Sequence, residues 1–150
     1  MGNTASDYGP RGTITEMRPS EIRFSHDTIS CFFQDGYSME ETLRMVLNGS
    51  IPVSRIPPLV VMHYRRSWYV VRGNSRLYLY QLLERNGKLQ NVKVLQQNFD
   101  NDVFKRRFTS RNNGRSIRLR GDRNMKHRLN ETIGDNSGIY FRTYCTRNFT

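Results

Sequence analysis

Apolar and polar positions change period several times along the chain, and each change predicts an element. Residues 1–19 mix Gly, Pro, Ser, Thr and Asp without an apolar period and are expected to form a flexible arm. Glu21-Ile22-Arg23-Phe24 alternates, as a short strand does, and His26 to Tyr37 is rich in turn residues, with Asp35-Gly36 its clearest break. Ser38-Met39-Glu40-Glu41 is a capping box, in which a hydroxyl and a carboxylate satisfy amides at the start of a helix. The helix it opens places Met39, Leu43, Val46 and Leu47 on one face and ends at Asn48-Gly49. Two prolines in Ile56-Pro57-Pro58 then impose an extended entry to the apolar run Leu59–Tyr64. Arg65-Arg66-Ser67 is expected to turn the chain into a return strand, Trp68–Val71.

Beyond Gly73 the period changes to that of a helix, from about Ser75 to Arg85, with Leu77, Leu79, Tyr80 and Leu83 inward and Asn86-Gly87 as its stop. Val92–Leu95 predicts a further strand. A third helix is expected from Asp100 to Phe108, with Val103, Phe104 and Phe108 facing inward. Residues 110–128 hold seven Arg or Lys and little that is apolar, so they are expected to be disordered or loosely attached, apart from a short strand at Ser116–Leu119. Gly138–Cys145 alternates weakly, as a late strand would. The expected architecture is α+β, a small mixed sheet with two to three helices. Its organisation is an arm over 1–19, a folded domain over 20–109 and a basic, partly disordered extension over 110–150.

Charge sharpens this picture. The net charge is +11 over 150 residues, yet residues 1–60 carry five bases against seven acids, and the remaining 90 carry nineteen against six. So one-sided an excess favours polyanionic partners: nucleotide, nucleic acid or an anionic membrane surface. No apolar run approaches the length of a membrane span, and the start of the chain has no secretory pattern, so an intracellular protein of cytoplasm or nucleus is expected. Cys31 and Cys145 form no C-x-x-C pair and no cluster with His26, His63 and His127, so no structural metal is expected.

The candidate chemistry lies at Gly73-Asn74-Ser75-Arg76. A strand that runs through glycine into a helix presents unpaired amides at the positive end of the helix dipole, without a Cβ to keep a phosphate away. Asn74 and Ser75 add short polar groups. Arg72 and Arg76 bracket the turn, and Arg76 stands in the first helical turn, where a cation is unfavourable unless an anion offsets it. Gly73, Asn74, Ser75, Arg76 and Arg72 are therefore the candidate phosphate ligands. Lys105, Arg106, Arg107, Arg115, Arg118 and Arg120 are candidates for a broader polyanion surface.

The order of elements from Ile22 to Gly87, with Ile56-Pro57-Pro58-Leu59-Val60-Val61, Trp68-Tyr69-Val70-Val71 and Gly73-Asn74-Ser75-Arg76-Leu77-Tyr78, resembles the ParB/sulfiredoxin-like superfamily. It looks most like the eukaryotic branch in which a segment like Phe104-Lys105-Arg106-Arg107-Phe108-Thr109 follows. The resemblance covers roughly residues 20–120. It implies that the Gly-x-x-Arg turn holds nucleotide phosphates, with Arg76 as ligand, and a nucleoside triphosphate with Mg²⁺ as the cofactor to test. It also implies limits. Sulfiredoxins carry a nucleophilic Cys between the glycine and the arginine, where this chain has Asn74 and Ser75, so sulfinic acid reduction is not expected. ParB proteins usually carry Glu-Arg there, and an amide replaces neither a carboxylate base nor a strong Mg²⁺ ligand.

One further motif stands at the start. Met1-Gly2-Asn3-Thr4-Ala5-Ser6 fits N-myristoylation at Gly2, and one acyl chain needs a polybasic partner to hold a membrane. Three functions follow: a binding module for nucleotide or nucleic-acid phosphates, a phosphoryl-transfer or phosphodiester-cleaving enzyme on the same pocket, or a myristoylated peripheral membrane or adaptor protein.

Overall fold

The computed structural model describes residues 12–135. The elements run β1 (Gly12–Met17), β2 (Ile22–Phe24), β3 (Thr28–Ser30), α1 (Met39–Leu47), β4 (Leu59–Tyr64), β5 (Ser67–Arg72), α2 (Asn74–Arg85), β6 (Val92–Gln97), α3 (Asn101–Arg107), β7 (Arg118–Arg120) and α4 (Met125–Asp135). Two 3₁₀ turns, Pro19–Glu21 and Val53–Arg55, complete them. The described chain divides into two compact units, one of residues 12–28 and 57–118, the other of 29–56 and 119–135.

The first unit is built on a five-stranded mixed sheet in the order β1-β6-β4-β5-β2. β1 pairs antiparallel with β6, β6 parallel with β4, β4 antiparallel with β5 and β5 parallel with β2. Strand alternation sorts the side chains. Val60, Met62, Tyr69, Val71 and Leu95 gather with Phe104 of α3, and Tyr64, Val103 and Phe108 pack at their margin. Helix α2 packs on β2, β5 and the first 3₁₀ turn, and buries Leu77, Leu79, Tyr80, Leu82 and Leu83. Its far end also fixes the entry to β2. The Glu84 carboxylate accepts from the Ser20 amide (2.8 Å), the Ser20 hydroxyl (2.9 Å) and Arg18 Nε (3.2 Å), while Gln81 Nε2 donates to the carbonyls of Pro19 and Ile22.

The second unit pairs β3 with β7 and packs α1 against α4. The capping box is formed as expected: Ser38 Oγ accepts from the Glu41 amide, and Glu41 accepts from the Ser38 amide. Met39 and Leu43 of α1 are buried, as are Met125, Leu129 and Ile133 of α4. Arg128 joins the helices, donating to Glu40 (3.0 Å) and to Asp122 (2.5 Å).

Three expectations about order change. Residues 12–17 of the expected arm form an edge strand, because Thr13, Ile14 and Thr15 suit an extended backbone and β6 offers a partner edge. Residues 110–118 belong to the first unit. Asn113-Gly114 makes a left-handed turn that brings the Gly114 carbonyl to the Phe24 amide (2.9 Å), where a Cβ on Gly114 would lie 2.3 Å from the Phe24 carbonyl oxygen. Residues 125–135 form a packed helix, because Met125, Leu129 and Ile133 repeat at the four-residue spacing of one helical face. The predicted strand Gly138–Cys145 and the Gly2 motif lie outside the described residues.

Candidate functional site

The parallel pairing of β2 with β5 sets Phe24 beside Val70, so both strands deliver their carboxyl ends to the same edge of the sheet. Ser25 and His26 follow one strand, and Arg72 ends the other, with Gly73 next. Segments that leave the carboxyl ends of parallel strands are the usual place for a ligand in sheets of this kind.

Gly73 stands at the turn with φ 112° and ψ 30°, a left-handed conformation that favours glycine. A Cβ at this position would lie 2.5 Å from Leu59 Cδ2, so close approach and conformation require glycine together. Helix α2 begins at Asn74, and no side chain caps its first turn. The start of the helix therefore keeps its positive field.

Asn74 points into the protein. It is 6% exposed; its Oδ1 accepts from the amides of Ser25 (3.0 Å) and His26 (3.3 Å), and its Nδ2 donates to Ser25 Oγ (3.1 Å). It ties the His26 loop to the helix start. Ser75 is half-buried. Arg76 is half-buried too, and its Nη1 donates to the carbonyls of Pro57 and, at 3.5 Å, Pro58. Burial pushes the Arg76 guanidinium below its ordinary pKa; Tyr80 works against that shift and the like charge of Arg72 adds to it.

Beside this turn opens a pocket of about 540 Å³ lined by His26, Arg72, Val103, Arg106 and Arg107. The structure thus brings together side chains from the two groups that the sequence singled out separately. Arg72 comes from the turn at Gly73, and Arg106 and Arg107 come from the basic end of α3. Asp100 sets that helix by accepting from the amides of Asp102 and Val103 (3.0 and 3.1 Å), and Phe104 anchors it in the core.

The other candidates fall elsewhere. Lys105 and Arg115 are exposed and do not line the pocket. Arg118 is paired with Asp27 at 2.9 Å, and Arg120 belongs to the second unit. His26 was not among the sequence candidates. Only the parallel β2–β5 register, which a single sequence does not display, would have pointed to it.

Cys31 is buried and donates from Sγ to the Arg120 carbonyl at 3.3 Å; burial pushes its thiol pKa up. Among the described residues, no three His, Cys, Asp or Glu side chains gather as metal ligands, and no helix is long and apolar enough to cross a membrane.

No family model matches the chain, and no curated protein matches it. Solved structures do. One is the C-terminally truncated chromosome-partitioning protein ParB from Caulobacter crescentus, complexed with CTP-γ-S, at 16% identity and a TM-score of 0.43 over 62% of this chain and 48% of that one. Another is a Pnob8-like ParB-N domain, at 18% identity and a TM-score of 0.38 over 93% of this chain and 50% of that one. The chain spans about half the length of either structure. Likeness at this level carries no residue roles.

Proposed function

We propose that this protein is a binding module for the phosphate groups of a nucleotide or nucleic acid, held in the pocket at the Gly73 turn. The observation that carries the reading is the pocket's lining: three arginines and an imidazole, from three separate segments, beside an uncapped helix start. Guanidinium groups converging on one cavity repel each other, and a phosphate offsets that repulsion while accepting from several forks at once.

The residues divide the work. Arg72, Arg106 and Arg107 supply cationic donors from the pocket wall. Gly73 and Ser75 supply the close backbone approach at the head of α2. Asn74 acts through Ser25 and His26, whose positions it fixes. Arg76, the ligand that the sequence resemblance implies, already spends one nitrogen on the Pro57–Pro58 carbonyls, and its remaining donors stay beside Gly73, with Nη2 3.0 Å from where a Cβ would be.

Calorimetry with CTP, ATP and a short oligonucleotide at low salt tests the reading. The wild type should bind at least one of them. Arg106→Ala/Arg107→Ala should weaken that binding at least tenfold, the loss expected for removing charged hydrogen bonds worth about 1.5–3 kcal/mol each. Absence of binding to all three would remove the proposal. Steady hydrolysis of any of them by the purified protein would favour phosphoryl-transfer or phosphodiester chemistry, for which His26 is the pocket's candidate proton carrier.

A further inference from the structure

The aromatic cluster beneath α3 continues past the end of the cover that the helix provides. At seven residues α3 is about 10 Å long. Beyond it, Phe99 lies nearly parallel on Tyr64, with ring centroids 5.6 Å apart and 15° between the planes, yet Phe99 is 43% exposed. Phe104 contacts both rings at a tilt, at 4.5 Å from Tyr64 and 5.5 Å from Phe99. The Arg65 guanidinium stands 5.1 Å from the centroid of Tyr64.

The turn that carries this arginine breaks a local rule. Arg65 and Arg66 have φ of 47° and 70°, the left-handed pair of a two-residue hairpin that Asn-Gly would occupy without strain. Two exposed cations are held there against their backbone preference, beside an exposed ring. Both side chains are exposed, and that of Arg65 lies against the Tyr64 ring.

We propose that the Phe99–Tyr64 stack, with Arg65 and Arg66, is a base-stacking platform, and that the ligand of this unit is a single strand of nucleic acid that runs from the platform to the arginine pocket. The proposal rests on the phosphate reading of that pocket and narrows its ligand class. The two ends lie near each other along the sheet. Arg72 at the pocket pairs with Val60, four residues from Tyr64 along β4, or about 13 Å. At a rise of about 3.4 Å per stacked nucleotide, about four nucleotides cover that distance. Flat rings accept the face of any base, and guanidinium groups add cation–π attraction and phosphate contacts, so binding should be strong without sequence preference. A free nucleotide is too short to use both ends.

Fluorescence anisotropy with two labelled hexamers separates the parts: a thymidylate strand, and an abasic strand with the same phosphates and no bases. The wild type should bind the thymidylate strand at least tenfold more tightly than the abasic one. Phe99→Ala should weaken the thymidylate strand roughly five- to hundredfold, leave the abasic strand within twofold, and lose nothing when Trp replaces Ala. Equal wild-type affinity for the two strands would overturn the platform, and that comparison needs no variant to fold. Unchanged thymidylate binding by Phe99→Ala would overturn it as well. Failure of the pocket reads differently: Arg106→Ala/Arg107→Ala would then leave the abasic strand and ATP unaffected, which would also remove the path from platform to pocket.

Discussion

At the scale of single residues, Gly73 and Asn74 shape the turn beside the pocket. Gly73→Ala adds a methyl group 2.5 Å from Leu59 Cδ2 and forces a left-handed φ on alanine. A destabilisation of about 1–3 kcal/mol should follow, read as a lower denaturant midpoint with an unchanged slope. Asn74→Ala removes the acceptor of two amides and a donor to Ser25 in a buried place. It should cost about 1–3 kcal/mol, and ligand affinity should fall with it although Asn74 does not line the pocket. A variant that loses stability but keeps full affinity would show that the His26 loop does not matter to binding. The residue types of the turn were legible in the sequence; their directions were not. Asn74 and Arg76 both carry N–H donors that could meet a phosphate, and only packing shows one turned to Ser25 and the other to the Pro57–Pro58 carbonyls.

Elements set by local chemistry were legible almost to the residue. The Ser38–Glu41 box, the Asn48-Gly49 stop and the prolines before β4 act within a turn or two of chain, where one sequence holds all the information. Helix α4 was missed for a different reason. Its apolar face, Met125, Leu129 and Ile133, is thin and lies among bases, so it is stable only against α1. Leu129→Ala should therefore cost about 2–5 kcal/mol, which thermal unfolding followed by circular dichroism would show as a lost or lowered transition.

Acid should weaken the same packing. The Arg128 hydrogen bond, aided by the Asn124 amide, holds the Asp122 carboxyl below its ordinary pKa of 3.8. A carboxyl with a depressed folded pKa contributes stability above its unfolded value and loses it as pH falls through the folded one. Wild-type stability should thus drop below about pH 4, and Asp122→Asn should be less stable at neutral pH and show a shallower acid loss.

At the scale of the whole molecule, the charge asymmetry pointed to a polyanion, but it did not say where one would sit. His26 and Arg106 are eighty residues apart, and Arg72 lies between them. The parallel β2–β5 pairing and the return of the chain through α3 bring the three to one cavity. On the proposed reading, binding depends on this pocket and not on the general positive field. One comparison tests this most directly, the nucleotide affinity of Arg72→Ala against Lys105→Ala. Each variant removes one exposed cation, and only Arg72 lines the pocket. Arg72→Ala should lose at least tenfold and Lys105→Ala less than twofold, at a single low salt concentration. Equal losses for the two would contradict the proposed reading and leave a diffuse basic surface in its place.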